Sequence, residues 1–173
     1  MTCRHAGALL LVALTALLSS CSTHGLSLMV DDRLTFDAPE DGQALALPVT
    51  IEWRIEHFEV TRTPDPAEER GARGYFAVIV DRSPQPPGEP VTWFARDDET
   101  CRRDPSCPDA TYLATRGVHT TADMSFTIDV LPRPADENRR EMHEVTVVLL
   151  DPDGARIGES AWRVRFEIDR GTP

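Results

Sequence analysis

The chain has 173 residues, 40% of them hydrophobic and 27% charged, which is enough apolar material for one ordinary globular domain and too much for a disordered chain. Its formal net charge is -11 and all 18 basic residues are arginine. That balance excludes a phosphate-tracking nucleic-acid binder, which needs a basic patch to release counterions, and it disfavours electrostatic attraction to anionic lipid.

At the N-terminus, Arg4 and His5 precede an apolar run from Ala6 to Leu18, and the small residues Ser19 and Ser20 lead to Cys21. A helix over that run spans only about 20 Å against roughly 30 Å of bilayer hydrocarbon, so it suits a signal peptide and not a membrane anchor. Leu18-Ser19-Ser20-Cys21 resembles the lipobox of bacterial lipoproteins. The resemblance implies cleavage before Cys21, acylation of Cys21 (diacylglyceryl, then palmitate), and retention on a bacterial membrane on the exported side. Cleavage after Ala16, leaving Cys21 as a free thiol, is the alternative. Residues 1–20 are thus expected as signal peptide, 21–32 as lipidated N-terminus and short tether, and 33–173 as one domain. Loss of 1–20 removes Arg4 and no acid, moving the net charge from -11 to -12. With Cys3 cleaved away and Cys21 lipidated, Cys101 and Cys107 remain as the expected disulfide of an oxidising compartment.

Arg33 to Asp37 alternates and ends at Ala38-Pro39-Glu40-Asp41-Gly42, a strand followed by a turn. Val49, Ile51, Trp53 and Ile55 share one face of the next strand, and Glu52, Arg54 and Glu56 share the other. The charged stretch His57 to Arg73 reads as a long loop. Gly74 to Asp81 is apolar on both alternations, as expected of a central strand covered on both faces. Beyond the break at Ser83 to Gly88, Val91 to Ala95 reads as a short strand. Arg96 to Thr111 holds the cysteines, and Tyr112-Leu113 and Gly117 to Thr120 read as further short strands. Phe126, Ile128 and Val130 alternate with polar neighbours until Pro132 and Pro134. Glu144 to Leu150 is a second strongly apolar strand, closed by the turn Asp151-Pro152-Asp153-Gly154. In the last strand Trp162, Val164, Phe166 and Ile168 face in, and Arg163, Arg165 and Glu167 face out.

About seven to nine short strands and no amphipathic helix predict an all-β fold, a single antiparallel β-sandwich. Pro48 to Trp53, followed by Tyr75 to Val78, resembles the early strands of fibronectin type III and related immunoglobulin-like domains. The resemblance implies an immunoglobulin-like sandwich in which Trp53 packs under Tyr75. It carries no function with it.

The richest candidate stretch is the cysteine loop. Closing the Cys101–Cys107 ring contributes about 2 kcal/mol by chain entropy. Asp97, Asp98, Glu99, Asp104 and Asp109 suit either a calcium site or a solvated acidic loop. The EF-hand spacing is absent, and Arg102 and Arg103 offset the charge. His24, His57, His119 and His143 show no metal-ligand spacing and are expected as strand-end surface residues. Ser160, in Gly158-Glu159-Ser160-Ala161, lacks the second glycine of a nucleophile elbow. The pairs Glu52 with Glu56 and Asp151 with Asp153 lack a glycosidase's cleft and aromatic platforms. Trp93 and Phe94, if in a strand, point to opposite faces, which offers one as a binding aromatic beside the cysteine loop.

The expectation is a lipid-anchored, exported, non-catalytic envelope or surface binding module with no cofactor, meeting an envelope protein partner through Trp93, Asp97, Asp98, Asp104 and Asp109. The alternative is a carbohydrate- or calcium-binding module that uses the acidic cysteine loop, and an envelope enzyme is the third class. Oligomeric state has no signature in the sequence.

Overall fold

The computed structural model describes residues 31–63, 72–132 and 141–170; the signal segment, Cys21 and His24 lie outside them. Period-two alternation becomes burial most cleanly in β3 (Val49–Ile55), where Val49, Ile51 and Trp53 are buried and Thr50, Glu52 and Arg54 are exposed. β3 lies between β1 (Leu34–Ala38) and β7 (Ser125–Ile128) in an antiparallel three-stranded sheet, with Phe36 opposite Trp53 and Ile51 opposite Phe126.

A second sheet runs in the order β2 (Gln43–Leu45), β9 (Trp162–Ile168), β8 (Met142–Leu150), β5 (Arg73–Val80), with β4 (Glu59–Val60) and β6 (Val118–Thr121) both beside β5. The two sheets pack face to face. Leu34, Val49, Ile51, Trp53 and Ile128 of one meet Phe76, Val78, Val145, Val147, Leu149, Val164, Phe166 and Ile168 of the other. The protein is therefore all-β, as the alternation implied.

The second sheet is mixed, which corrects the antiparallel expectation. β2 pairs parallel with β9, and β4 pairs parallel with β5. The chain leaves the three-stranded sheet after β1 and joins the edge of the other sheet beside a strand that runs the same way. Short strands such as β2 and β4 carry too little pattern to be seen in the sequence. A second correction concerns Trp53, which packs edge-to-face on Phe76 at 5.3 Å between centroids. Tyr75 has the opposite parity on β5 and faces the far side of the sheet.

That far side is covered by the excursion between β5 and β6. Tyr75, Ala77, Ile79, Val118, Val148 and Leu150 form a second buried cluster with Phe94 and Leu113, flanked by Val91, Trp93 and Tyr112. Val91–Ala95, expected as a strand, is a 3-10 turn started by Pro90, and Tyr112-Leu113 lies in a one-turn helix. Two short helices, α1 (Glu99–Arg103) and α2 (Ala110–Ala114), are each opened by an aspartate. Asp98 accepts from the N–H of Thr100 and Cys101, and Asp109 from that of Tyr112. Aspartate caps and a leading proline overrode the strand propensity of Val91, Thr92, Trp93 and Tyr112. Buried Arg156 fastens the start of the excursion to the β8–β9 connection through the carbonyls of Gln85 and Glu159, both at 2.6 Å.

Candidate functional site

The disulfide between Cys101 and Cys107 is formed, with the Cα atoms 4.9 Å apart. Cys101 is the buried residue of α1, so the bridge closes the acidic loop onto that helix. The loop's carboxylates are spent locally. Asp98 caps α1, accepts the Tyr112 hydroxyl at 3.0 Å and meets Arg116 at 3.4 Å. Hydrogen bonds led by the Cys101 N–H hold its pKa below the usual carboxylate range. Asp104 accepts from the N–H and hydroxyl of Ser106, and the hydroxyl bond leads in lowering its pKa. Asp109 caps α2, Glu99 pairs with Arg103 at 3.3 Å, and Asp97 points outward beside Arg96 at 3.2 Å. Among the described residues no three of His, Cys, Asp and Glu come together as a metal-holding group.

Trp93 and Phe94 do not diverge to opposite faces as a strand would require. In the 3-10 turn their rings meet edge-to-face at 5.4 Å; Phe94 is buried and Trp93 is half-buried under the Arg96 guanidinium at 3.5 Å. The aromatic pair is mainly packing for the outer layer. Trp93, Asp97, Asp98, Asp104 and Asp109 thus each have a partner within the excursion.

The residues that do converge lie at the end of the sandwich where β5 finishes and β8 begins. His143, expected on the surface, is only 7% exposed, because it shares the parity of Val145, Val147 and Leu149 and points toward the inter-sheet core. Its Nδ1 meets Asp81 Oδ2 at 2.6 Å and its Nε2 meets Glu141 Oε1 at 3.2 Å. Asp81 sits at φ 55°, a turn that an aspartate tolerates, and bonds to the neighbouring strand β8. Its Oδ1 accepts from the Glu144 N–H at 3.0 Å, and its own N–H donates to the Glu144 carbonyl at 2.9 Å. Glu141 is bridged in turn by Arg170, which also donates to the Leu131 carbonyl at 2.9 Å.

Two carboxylates facing one imidazole favour its charged form. The Asp81 hydrogen bond leads in raising the His143 pKa, against the opposing effect of burial. The Arg170 guanidinium beside Glu141 holds that carboxyl at about 2. The network joins the end of β5, the start of β8, the chain after β9 and the chain after β7. Chemically it is a charged tie across both sheets. It has acid–base groups, and among the described residues no hydroxyl or thiol is hydrogen-bonded to His143.

Beside the tie opens a cleft of about 470 Å³ between Val80, Asp81 and Arg82 of one sheet and Ile128 to Pro132 of the other, closed on its third side by Ala114 to Gly117 and His119. Gly117, at φ +67°, lets the α2–β6 turn approach the Val80 carbonyl, where an added Cβ would stand 2.7 Å away. Val130, in phase with Phe126 and Ile128 in the sequence, is 81% exposed at the cleft mouth, since β7 ends at Ile128 and Leu131 takes the buried position instead. His119 stacks on Phe126 at 4.6 Å, and burial lowers its pKa. Arg82 lies over the Phe94 ring and donates to the Arg116 carbonyl at 2.9 Å; it meets no carboxylate among the described residues.

The sequence contained one usable signal for this end. A histidine in phase with Val145, Val147 and Leu149 is a histidine on a buried face. Glu141 lies two residues before it, but Asp81, 62 residues upstream, and Arg170, 29 residues beyond Glu141, were invisible without the pairing of β5, β8 and β9. Compared with known proteins, the chain matches no family model, no curated protein and no solved structure.

Proposed function

We propose that this chain is an exported, lipid-anchored bacterial envelope protein whose immunoglobulin-like sandwich binds a protein partner and carries out no catalysis of its own. The immunoglobulin-like reading is supported by strand order: β1-β3-β7 against β9-β8-β5 corresponds to the A-B-E and G-F-C strands of that architecture, with β6 as an added strand beside C. The lipid anchor is supported by Leu18-Ser19-Ser20-Cys21. Export is supported by the disulfide.

One observation carries the binding role. Asp31, the first described residue, is held by Ser160 at 2.6 Å and by the Trp162 indole at 2.8 Å, beside the start of β9, whereas His143 and the open cleft lie beside its end, opposite Phe166. A chain tethered through Cys21 then leaves from one end of the sandwich and presents the other. The calcium and carbohydrate alternatives lack such support, because Asp98 and Asp109 serve as helix caps, Asp104 bonds Ser106, Glu99 and Asp97 stand beside arginines, and the aromatics pack.

The test is a pair of measurements in cells. Metabolic labelling with an alkyne fatty acid should mark the wild type and not Cys21→Ala, and labelling of that variant would overturn the anchor. A photo-crosslinking residue at Val130 should give a discrete adduct absent when the same residue is placed at Glu159, near the tether. Identical patterns at both positions would overturn the presented-end reading.

A further inference from the structure

The cleft beside Arg82 combines features that together specify an occupant. Its volume falls within the range of ligand-holding sites, roughly 300–1,000 Å³, at about 470 Å³. Its floor and mouth are apolar: Ile128 and Leu131 are buried there, while Val130 and Pro132 face solvent. Its rim is cationic in a protein of net charge -11. Arg82 has one guanidinium nitrogen on the Arg116 carbonyl and no ion-pair partner among the described residues. Arg116 shares Asp98 with the Tyr112 hydroxyl and holds it only at 3.4 Å. The one carboxylate at the rim, Asp81, is occupied by His143 and by the Glu144 N–H. His119 is the remaining titratable group at the cleft; burial favours its neutral form, so it adds no fixed charge.

The cleft also lies between two edge strands. β7 pairs only with β3, and β6 only with β5, so each leaves one row of backbone N–H and C=O groups unpaired along its outer side among the described residues. Such an edge is a template for an extended chain, with main-chain hydrogen bonds supplying affinity and side-chain pockets supplying choice. An isolated anion would leave the apolar mouth unused, and an apolar ligand would leave Arg82 without a counter-charge.

We propose that the cleft is a docking site for an extended peptide segment of a protein partner, with a carboxylate side chain for Arg82 and a neighbouring apolar side chain for Val130 and Leu131. The assignment deepens the binding-module reading and rests on it for the choice of a protein occupant over lipid, since the cleft opens at the end away from the tether. The carboxylate gives a charge-assisted, two-pronged contact with a guanidinium. The apolar side chain covers Val130, the most exposed large hydrophobic among the described residues. Alternation of the two along the peptide matches the period of a strand.

The experiment uses the full chain in detergent and three fluorescent peptides of alternating sequence: Glu-Val, Gln-Val and Lys-Val repeats. Anisotropy should show saturable binding of the Glu-Val peptide, with the Gln-Val peptide at least about tenfold weaker and the Lys-Val peptide not bound. Arg82→Gln should reduce the preference for Glu-Val over Gln-Val, and Val130→Asp, a change at an exposed position that leaves the fold intact, should weaken Glu-Val by a further factor of about ten. No saturable binding by any of the three, or equal binding by wild type and Val130→Asp, would overturn the site. Binding that follows vesicles of anionic lipid and not the peptides would also overturn it, in favour of a membrane surface. Loss of fatty-acid labelling with peptide binding intact would instead overturn the anchor alone, so the two readings fail separately.

Discussion

The two faces of the central sheet are both buried, but by different means. On the inner face, β5 and β8 meet the regular three-stranded sheet, and the contact is strand against strand: Phe76, Val78, Val145, Val147 and Leu149 against Ile51, Trp53 and Ile128. On the outer face, Tyr75, Ala77, Ile79, Val148 and Leu150 meet an irregular layer made of a 3-10 turn and two one-turn helices, clamped by one disulfide. The inner face is held by the sheets themselves. The outer layer depends on caps, a covalent bridge and a few aromatic contacts, and the expectation that follows is a layer that opens more readily than the inner face.

The largest expected effect therefore lies inside. Phe76 is fully buried and pressed against Trp53, and Phe76→Ala should cost about 3–5 kcal/mol in urea denaturation, with the whole protein losing cooperativity at lower denaturant. Phe94→Ala on the outer side should cost about 2 kcal/mol and act on the overlying layer first. Equal losses from the two, with the same spread of hydrogen exchange, would erase the distinction between the faces.

Reducing the disulfide sharpens the same comparison. Cys101 and Cys107 are six positions apart, and replacing both by serine should remove about 2 kcal/mol. Amide exchange should accelerate in Val91–Ala95, α1 and α2 while the paired amides of β5 and β8 stay protected. Uniform acceleration across β8 would show that the outer layer is part of the central folding unit.

The same contrast explains what was legible in the sequence. Strands packed on a regular partner advertise themselves: the alternation in β3 and β9 and the doubly apolar runs of β5 and β8 were readable, including the fact that something covers both faces of β5. What covers the outer face was not readable. Val91 to Ala95 carries strand-like residues, and only Pro90 and the turn that follows decide for a 3-10 conformation. The acidic loop looked like a site because carboxylates cluster in sequence, yet Asp98 and Asp109 are caps, a role that needs one side chain at one position and leaves no wider pattern. The His143 tie was hidden for the opposite reason, since Asp81 and Arg170 are far in the chain from His143 and Glu141 and reach them only through strand register.

That tie belongs to the inner face and should reveal itself through pH. His143 has a folded pKa raised above its ordinary 6.5, so the stabilisation it supplies is fully present below about pH 6.5 and is lost as pH climbs through the higher folded value. Glu141, held at about 2, contributes above its ordinary 4.5 and loses that contribution only as pH falls toward 2. Losing a charged hydrogen bond of this kind is worth about 1.5 kcal/mol, or roughly 3–6 °C of melting temperature for a domain of this size. The wild type should thus melt progressively lower from pH 6 to pH 9, and His143→Gln should flatten that slope. An unchanged slope in the variant would remove His143 as its source.

The smallest effect tests the outer layer where it is most local. Asp98 accepts two N–H groups at the start of α1, receives the Tyr112 hydroxyl and meets Arg116, so one carboxylate joins α1 to α2 across the disulfide loop. Asp98→Ala should cost about 1 kcal/mol, the loss of a helix cap, while Asp98→Asn, which keeps a capping oxygen, should recover most of it. If the layer is a unit in its own right, the alanine variant should also raise amide exchange in α2, a helix that Asp98 does not cap. Were the change confined to α1, the two helices would be separate attachments to the sheet, and the outer face would be covered piece by piece instead of by one layer.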